Sequence, residues 1–106
     1  MPKYLIAASY TAEGLRGLQK DKASGRQRAV TAAVEGVGGK VECFYNALGE
    51  HDAYVIVDLP DTITATALSI AVSAAGLART RTTALLTVEE TDRALEKSVS
   101  YRPPGH

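Results

Sequence analysis

A histidine followed by an acid is the first pair in this sequence that could move a proton. His51-Asp52 lies in the run Gly49-Glu50-His51-Asp52. Histidine titrates near neutrality, and a neighbouring carboxylate can orient its ring. Such a pair suits a general base or a metal ligand. Consecutive strand residues point to opposite sides, so direct contact between the two needs a turn. A turn also gives Asp52 a plainer use, accepting hydrogen bonds from backbone amides while His51 faces solvent. Tyr45 and Tyr54 are the next candidates, with Tyr4 or Tyr10 able to join them from the first strand. A phenol in a largely apolar cavity can donate to a substrate oxygen or anchor an aromatic ligand; aromatics at strand spacing equally serve as cross-strand packing. Arg79 and Arg81 are two apart and share one face of a strand. Facing inward, two guanidinium groups would bind a carboxylate or phosphate. Facing outward, they would be solvated charges that discourage edge association. Asp58 is a further ligand-binding candidate, or the arginines' structural counter-ion. The expected catalytic set is therefore His51, Asp52, Tyr45 and Tyr54, and the expected ligand-binding set Arg79, Arg81 and Asp58.

Other chemistries lack the residues they need. Cys43 is the single cysteine, which excludes an intramolecular disulfide framework and a Cys-rich zinc site. In mid-strand without a basic neighbour, its thiol reads as inert packing. The second histidine, His106, is the last residue, so no metal centre within one chain and no cofactor are expected. Gly36-Val37-Gly38-Gly39 follows a helix instead of opening one, the wrong dipole sign for a phosphate loop. Twelve Lys and Arg balance twelve Asp and Glu. That neutrality gives no field for nucleic acid or an anionic membrane, and does little to keep copies apart.

The elements that must position these residues follow from periodicity and punctuation. The length of 106 residues with 45% hydrophobic and 23% charged residues fits one globular domain. Folding would bury about 65% of the unfolded surface, enough for one thin core. Lys3 to Tyr10 reads as a strand. Thr11 caps a helix that Gly14 and Gly17 weaken by about 1 kcal/mol each. The polar stretch Gln19 to Gly25 breaks it, and Arg26 to Val37 resumes it with Val30, Ala33, Val34 and Val37 at helical spacing. Gly38-Gly39 stops it. Lys40 to Leu48 and Ala53 to Leu59 read as two strands joined by a short link. Asp61 caps a helix from Thr62 to Ala75, and Leu77 to Leu86 forms a Thr-rich strand. Thr87-Val88-Glu89-Glu90 is a capping box opening a last helix to Lys97. Residues 1–97 thus make the domain, and Ser98 to His106 a flexible Pro-containing tail, free or embracing a partner subunit. No targeting signal or membrane span is apparent, and the chain reads as soluble and cytoplasmic.

The resulting order is β-α-β-β-α-β plus a terminal helix, the split-βαβ, ferredoxin-like α+β pattern with a four-stranded antiparallel sheet. If Leu48 opposes Ala53, alternation puts Phe44, Asn46, Leu48, Val55, Val57 and Leu59 toward the helices. Val41, Cys43, Tyr45, Ala47, Tyr54, Ile56 and Asp58 then form the uncovered face. A face this apolar is rarely left in water, so a homo-oligomer, a dimer or a multiple of it, is expected. RNA-recognition domains share the strand order, but Ala53 to Asp58 holds one aromatic and no basic residue, which argues against RNA.

The stretch Gly38 to Tyr45, the run Leu48-Gly49-Glu50-His51-Asp52 and the later Arg79-Thr80-Arg81-Thr82 together resemble the GYD domain family over residues 3 to 95. The family's hairpin reads Gly-x-Tyr-Asp, and His51 stands where it has tyrosine. The resemblance implies a dimeric α/β barrel of uncharacterised activity. The leading functional reading is an oligomeric barrel binding a small, partly apolar molecule. The alternatives are a cofactor-independent oxygenase or isomerase and a non-catalytic structural or regulatory oligomer.

Overall fold

The computed structural model describes residues 1–106. Its elements are β1 (Lys3–Tyr10), α1 (Ala12–Gly36), β2 (Lys40–Asn46), β3 (Ala53–Asp58), α2 (Thr62–Ala74), β4 (Ala78–Leu85) and α3 (Val88–Leu95). The four strands form one antiparallel sheet in the order β2-β3-β1-β4, so the fold is ferredoxin-like as the element order predicts. No helix is long and apolar enough to cross a membrane.

Each helix start is fixed locally. Thr11 accepts from the Gly14 amide, Asp61 from the Thr64 amide, and Thr87 and Glu90 form both bonds of a capping box, satisfying amides that have no partner within the helix. The polar stretch expected to break the first helix holds a kink: Lys22 lies at φ 65°, ψ 166° within the continuous span of α1. Gly38, at φ +83°, supplies the left-handed residue that ends it.

Alternation along β3 separates two environments. Ala53, Val55, Val57 and the following Leu59 are buried, whereas Tyr54, Ile56 and Asp58 are not. Val55, Val57 and Leu59 join Tyr4, Val34 and Ala65 in the core, and Ile6, Val30, Val41, Phe44 and Leu68 pack around it. Val57 and Leu59 are fully enclosed, and burying each side chain is worth about 1.5–3 kcal/mol. Two expectations about the hairpin are corrected. Asn46, not Leu48, opposes Ala53, and Leu48 is wholly exposed beyond the end of β2. A bulge between Val41 and Cys43 adds one residue and so turns Val41 to the helix side. Tyr4 and Tyr10 also fall on that side, since Tyr4 pairs with Val57 and Tyr10 with Ala78. Tyr4 is buried, with its hydroxyl 3.1 Å from Thr62 Oγ1.

The chain measures 56 × 33 × 23 Å with a radius of gyration of 16.8 Å, against about 13 Å for a compact domain of this length. The excess comes from the C-terminal segment. α3 makes no substantial contact with the sheet or the other helices, and Leu86, Val88, Leu95, Val99 and Tyr101 are exposed.

Two glycines of α1 play opposite parts. A Cβ on Gly14 would collide with the Leu77 carbonyl oxygen, whereas one on Gly17 would meet open space. Gly14→Ala should therefore lower the melting temperature despite alanine's helix propensity. Gly17→Ala should raise it by roughly 4–8 °C, the equivalent of about 1 kcal/mol. Thermal melts of both variants check this, and equal shifts would contradict it. Asp61 gives a pH signature, because the Thr64 amide holds its carboxyl below the usual carboxylate range. A lowered folded-state value means stability present above about pH 4 and lost as the pH falls through that value. Asp61→Asn retains an acceptor without titrating. The melting difference between wild type and Asp61→Asn should shrink below about pH 4, and a constant gap would refute the assignment.

Candidate functional site

The sheet face away from the helices carries Lys3, Leu5, Ala7 and Ser9 from β1, Tyr54, Ile56 and Asp58 from β3, and Cys43 and Tyr45 from β2. From β4 it carries Arg79, Arg81, Thr83 and Leu85. These positions follow from the register, in which Ala7 opposes both Tyr54 and Arg81, Ser9 opposes Arg79, and Tyr45 opposes Tyr54. No element of the chain covers this face, since the long helices pack as α1 on β1 and β2 and α2 on β4.

Polar chemistry gathers at one corner. Arg79 and Arg81 line a pocket of about 270 Å³ with Ser9, Glu50, His51, Ala7 and Thr80. The two arginines do point to the uncovered side, and neither is paired with a carboxylate. His51 Nδ1 lies 3.0 Å from Ser9 Oγ, its ring meets Tyr54 edge-on at a centroid distance of 5.8 Å, and Nε2 is 4.0 Å from Glu50 Oε1. Its side chain is 17% exposed, so the imidazole is held in place yet reachable from the pocket.

Asp52 stands apart from that ring. Its carboxylate accepts the Tyr10 amide at 2.8 Å, and its own amide donates to the Ala8 carbonyl at 2.8 Å. The side chain thus replaces the backbone acceptor that a continued β1–β3 ladder would supply. His51 takes Ser9, not Asp52, as its partner. Asp58 is likewise outside the corner. It sits opposite Lys3, four residues along β1 from Ala7, and accepts from Lys3 Nζ at 2.9 Å, while Glu42 accepts at 3.3 Å. This contact with Asp58 is the main cause holding the Lys3 ammonium above its ordinary range.

Of the sequence-derived candidates, the structure brings together His51, Tyr54, Arg79 and Arg81. Tyr45 lies opposite Tyr54 on the edge strand and is 68% exposed. Cys43, a free thiol, is half-buried on the same face. Ser9 and Glu50 were not among the candidates. Ser9 could have been found by alternation from Lys3, once β1 is placed between β3 and β4.

A four-stranded antiparallel sheet in the order β2-β3-β1-β4, with the long helices on one face and a polar corner on the other, defines a ferredoxin-like domain. The GYD domain family matches residues 4–95, and the chain belongs to that family. Comparison with curated proteins returns no match.

Removal of the Asp52 carboxylate strands the Tyr10 amide. A lost hydrogen bond to a charged acceptor costs about 1.5–3 kcal/mol. Asp52→Ala should lower the melting temperature by roughly 6 °C or more, with Asp52→Asn recovering part of it. A chemical or thermal melt checks this. A neutral Asp52→Ala would free Asp52 for a role at the corner.

Proposed function

We propose that this GYD domain protein is a homo-oligomer, a dimer or a multiple of it, that binds a small, partly apolar molecule carrying an anionic group. The observation that carries this reading is the pair of unpaired guanidinium groups, Arg79 and Arg81, in one pocket with the Ser9–His51 hydrogen bond. Two adjacent cations without a counter-ion repel each other, and a bound carboxylate or phosphate relieves that repulsion through charge-assisted hydrogen bonds. The neighbouring band of Ala7, Leu5, Ile56 and the Tyr45–Tyr54 pair offers apolar surface to the rest of the ligand. Two copies facing each other would remove this band from water and enclose the pocket. The unpartnered apolar side chains of the C-terminal segment also favour association. A cytoplasmic setting suits the free Cys43.

Acid-base chemistry of the cofactor-independent isomerase or oxygenase kind is a second reading, favoured by the fixed imidazole. Ser9 engages Nδ1 and leaves the Nε2 edge of His51 to exchange a proton with a bound molecule, with Tyr54 against the ring. In this reading His51→Ala abolishes turnover of an identified substrate and leaves assembly unchanged.

Native mass spectrometry of the untagged chain tests assembly. A monomer at micromolar concentration would overturn the oligomer, and an oligomer of bare mass whose pocket takes no anion would favour a purely structural role. Calorimetric titration with phenyl phosphate tests the pocket. Arg79→Gln and Arg81→Gln should each weaken binding roughly tenfold or more, the size of one lost charge-assisted contact. Unchanged affinity in both would remove the corner from the function.

A further inference from the structure

The helix-covered side of the sheet holds a second recess that the anion corner does not use. α1 stands on β1 and β2 and α2 on β4, and the space left between them is an apolar cavity of about 180 Å³. Ile6, Phe44 and Val55 contribute to its floor, Val30 belongs to one wall, and Leu68 and Val72 to the other. The well-buried cluster lies toward one end of the sheet, where Val34 meets Val57 and Leu59. Toward the other end the floor holds the small Ala8, Ala53 and Ala78, with Tyr10 opposite Ala78. The recess opens to solvent between the helices, so its apolar lining meets water unless something covers it.

One charged group lines this recess. Arg26 is half-buried, belongs to the cavity wall and makes no ion pair. It precedes Val34 by eight residues on α1, a distance of about 12 Å along the helix, so it stands toward the small-residue end. The other polar groups of the recess are the hydroxyls of Tyr10, Ser69, Thr80 and Thr82, of which those of Ser69 and Thr80 bond each other at 3.2 Å. An apolar space with one cation that has no ion-pair partner toward one end is complementary to an amphiphile with an anionic head.

We infer that the cleft between α1 and α2 is a binding site for a small amphiphilic carboxylate, a medium-chain fatty acid or monoaromatic acid, with its carboxylate on Arg26 and its apolar body over Phe44, Val55 and Leu68. This site is on the opposite face from Arg79 and Arg81 and does not depend on the anion corner.

Titration of the full-length, methyl-labelled protein with octanoate, followed by NMR, tests it. Saturable shifts are expected at Val30, Val55, Leu68 and Val72, and they should persist in Arg81→Gln even where Leu5 or Ile56 on the other face also responds through the anion corner. Arg26→Gln should weaken binding about tenfold, and octanol should bind wild type about as weakly as octanoate binds that variant. Ala29→Phe, at an exposed position of the cavity wall, should abolish binding while leaving the melting temperature within a few degrees. Arg81→Gln should have no effect, which separates this site from the anion corner. Shifts that do not saturate, that centre on the opposite face or that are indifferent to Arg26→Gln would overturn the inference. So would cleft methyl signals that change on dilution and collapse to one state when residues 87–106 are deleted, because the C-terminal segment of a second copy would then be the occupant.

Discussion

Strand β3 lies inside the sheet, and its side chains must go alternately to one face and the other. On the helix side Ala53, Val55 and Val57, followed by Leu59, leave almost no surface exposed. A shift of one residue in pairing would put them in water and bring Tyr54, Ile56 and Asp58 into the core. The whole chain is arranged around that constraint. β1 and β2 adopt the registers that keep Tyr4, Ile6 and Phe44 with the buried set, and the helices supply Val34 and Ala65 to close it. Everything that could do chemistry on the open face is then displayed by default, as the other half of the same alternation.

The open face is divided along the strands. Lys3, Asp58 and Glu42 form an ion-paired group at one end, apolar residues fill the middle, and the unpaired arginines and the fixed histidine occupy the other end. The two ends differ in what they have left to offer. Charges that already have partners contribute little to binding something else, whereas Arg79 and Arg81 are solvated and available. His51 reaches this corner because Asp52 ties the hairpin back to Tyr10 and Ala8. The acid of the conspicuous pair thus works through the backbone, and the base works at the surface.

Much of the architecture was legible because it is locally encoded. Thr11, Asp61 and the Thr87–Glu90 box announce helix starts by side-chain chemistry within three residues, and Gly38 announces a stop. The alternation along β3 and the shared face of Arg79 and Arg81 were equally readable. What escaped depends on other strands. The apolar Leu48 extended β2 in the reading, but the chain leaves the ladder after Asn46, and the Asp52 backbone and carboxylate go to Ala47, Ala8 and Tyr10. The bulge beside Glu42 changed the side on which Val41 lies, and nothing local marks it. Ser9 carries no motif of its own. It becomes a neighbour of His51 only when β1 is known to run between β3 and β4.

That bulge also bears on how copies can meet. A sheet has two open flanks, here β2 and β4, and each could in principle accept a further strand from another molecule without limit. At Glu42 the β2 flank is interrupted, and the exposed Lys40 and Glu42 accompany the irregularity. An interrupted, charged flank is a poor template for strand addition, so lengthening of the sheet from this side is disfavoured. Contact through the flat face is of another kind: once two such faces have met, neither remains to receive a third. The same irregularity that rearranges one valine in the core thereby favours a counted assembly over a fibre.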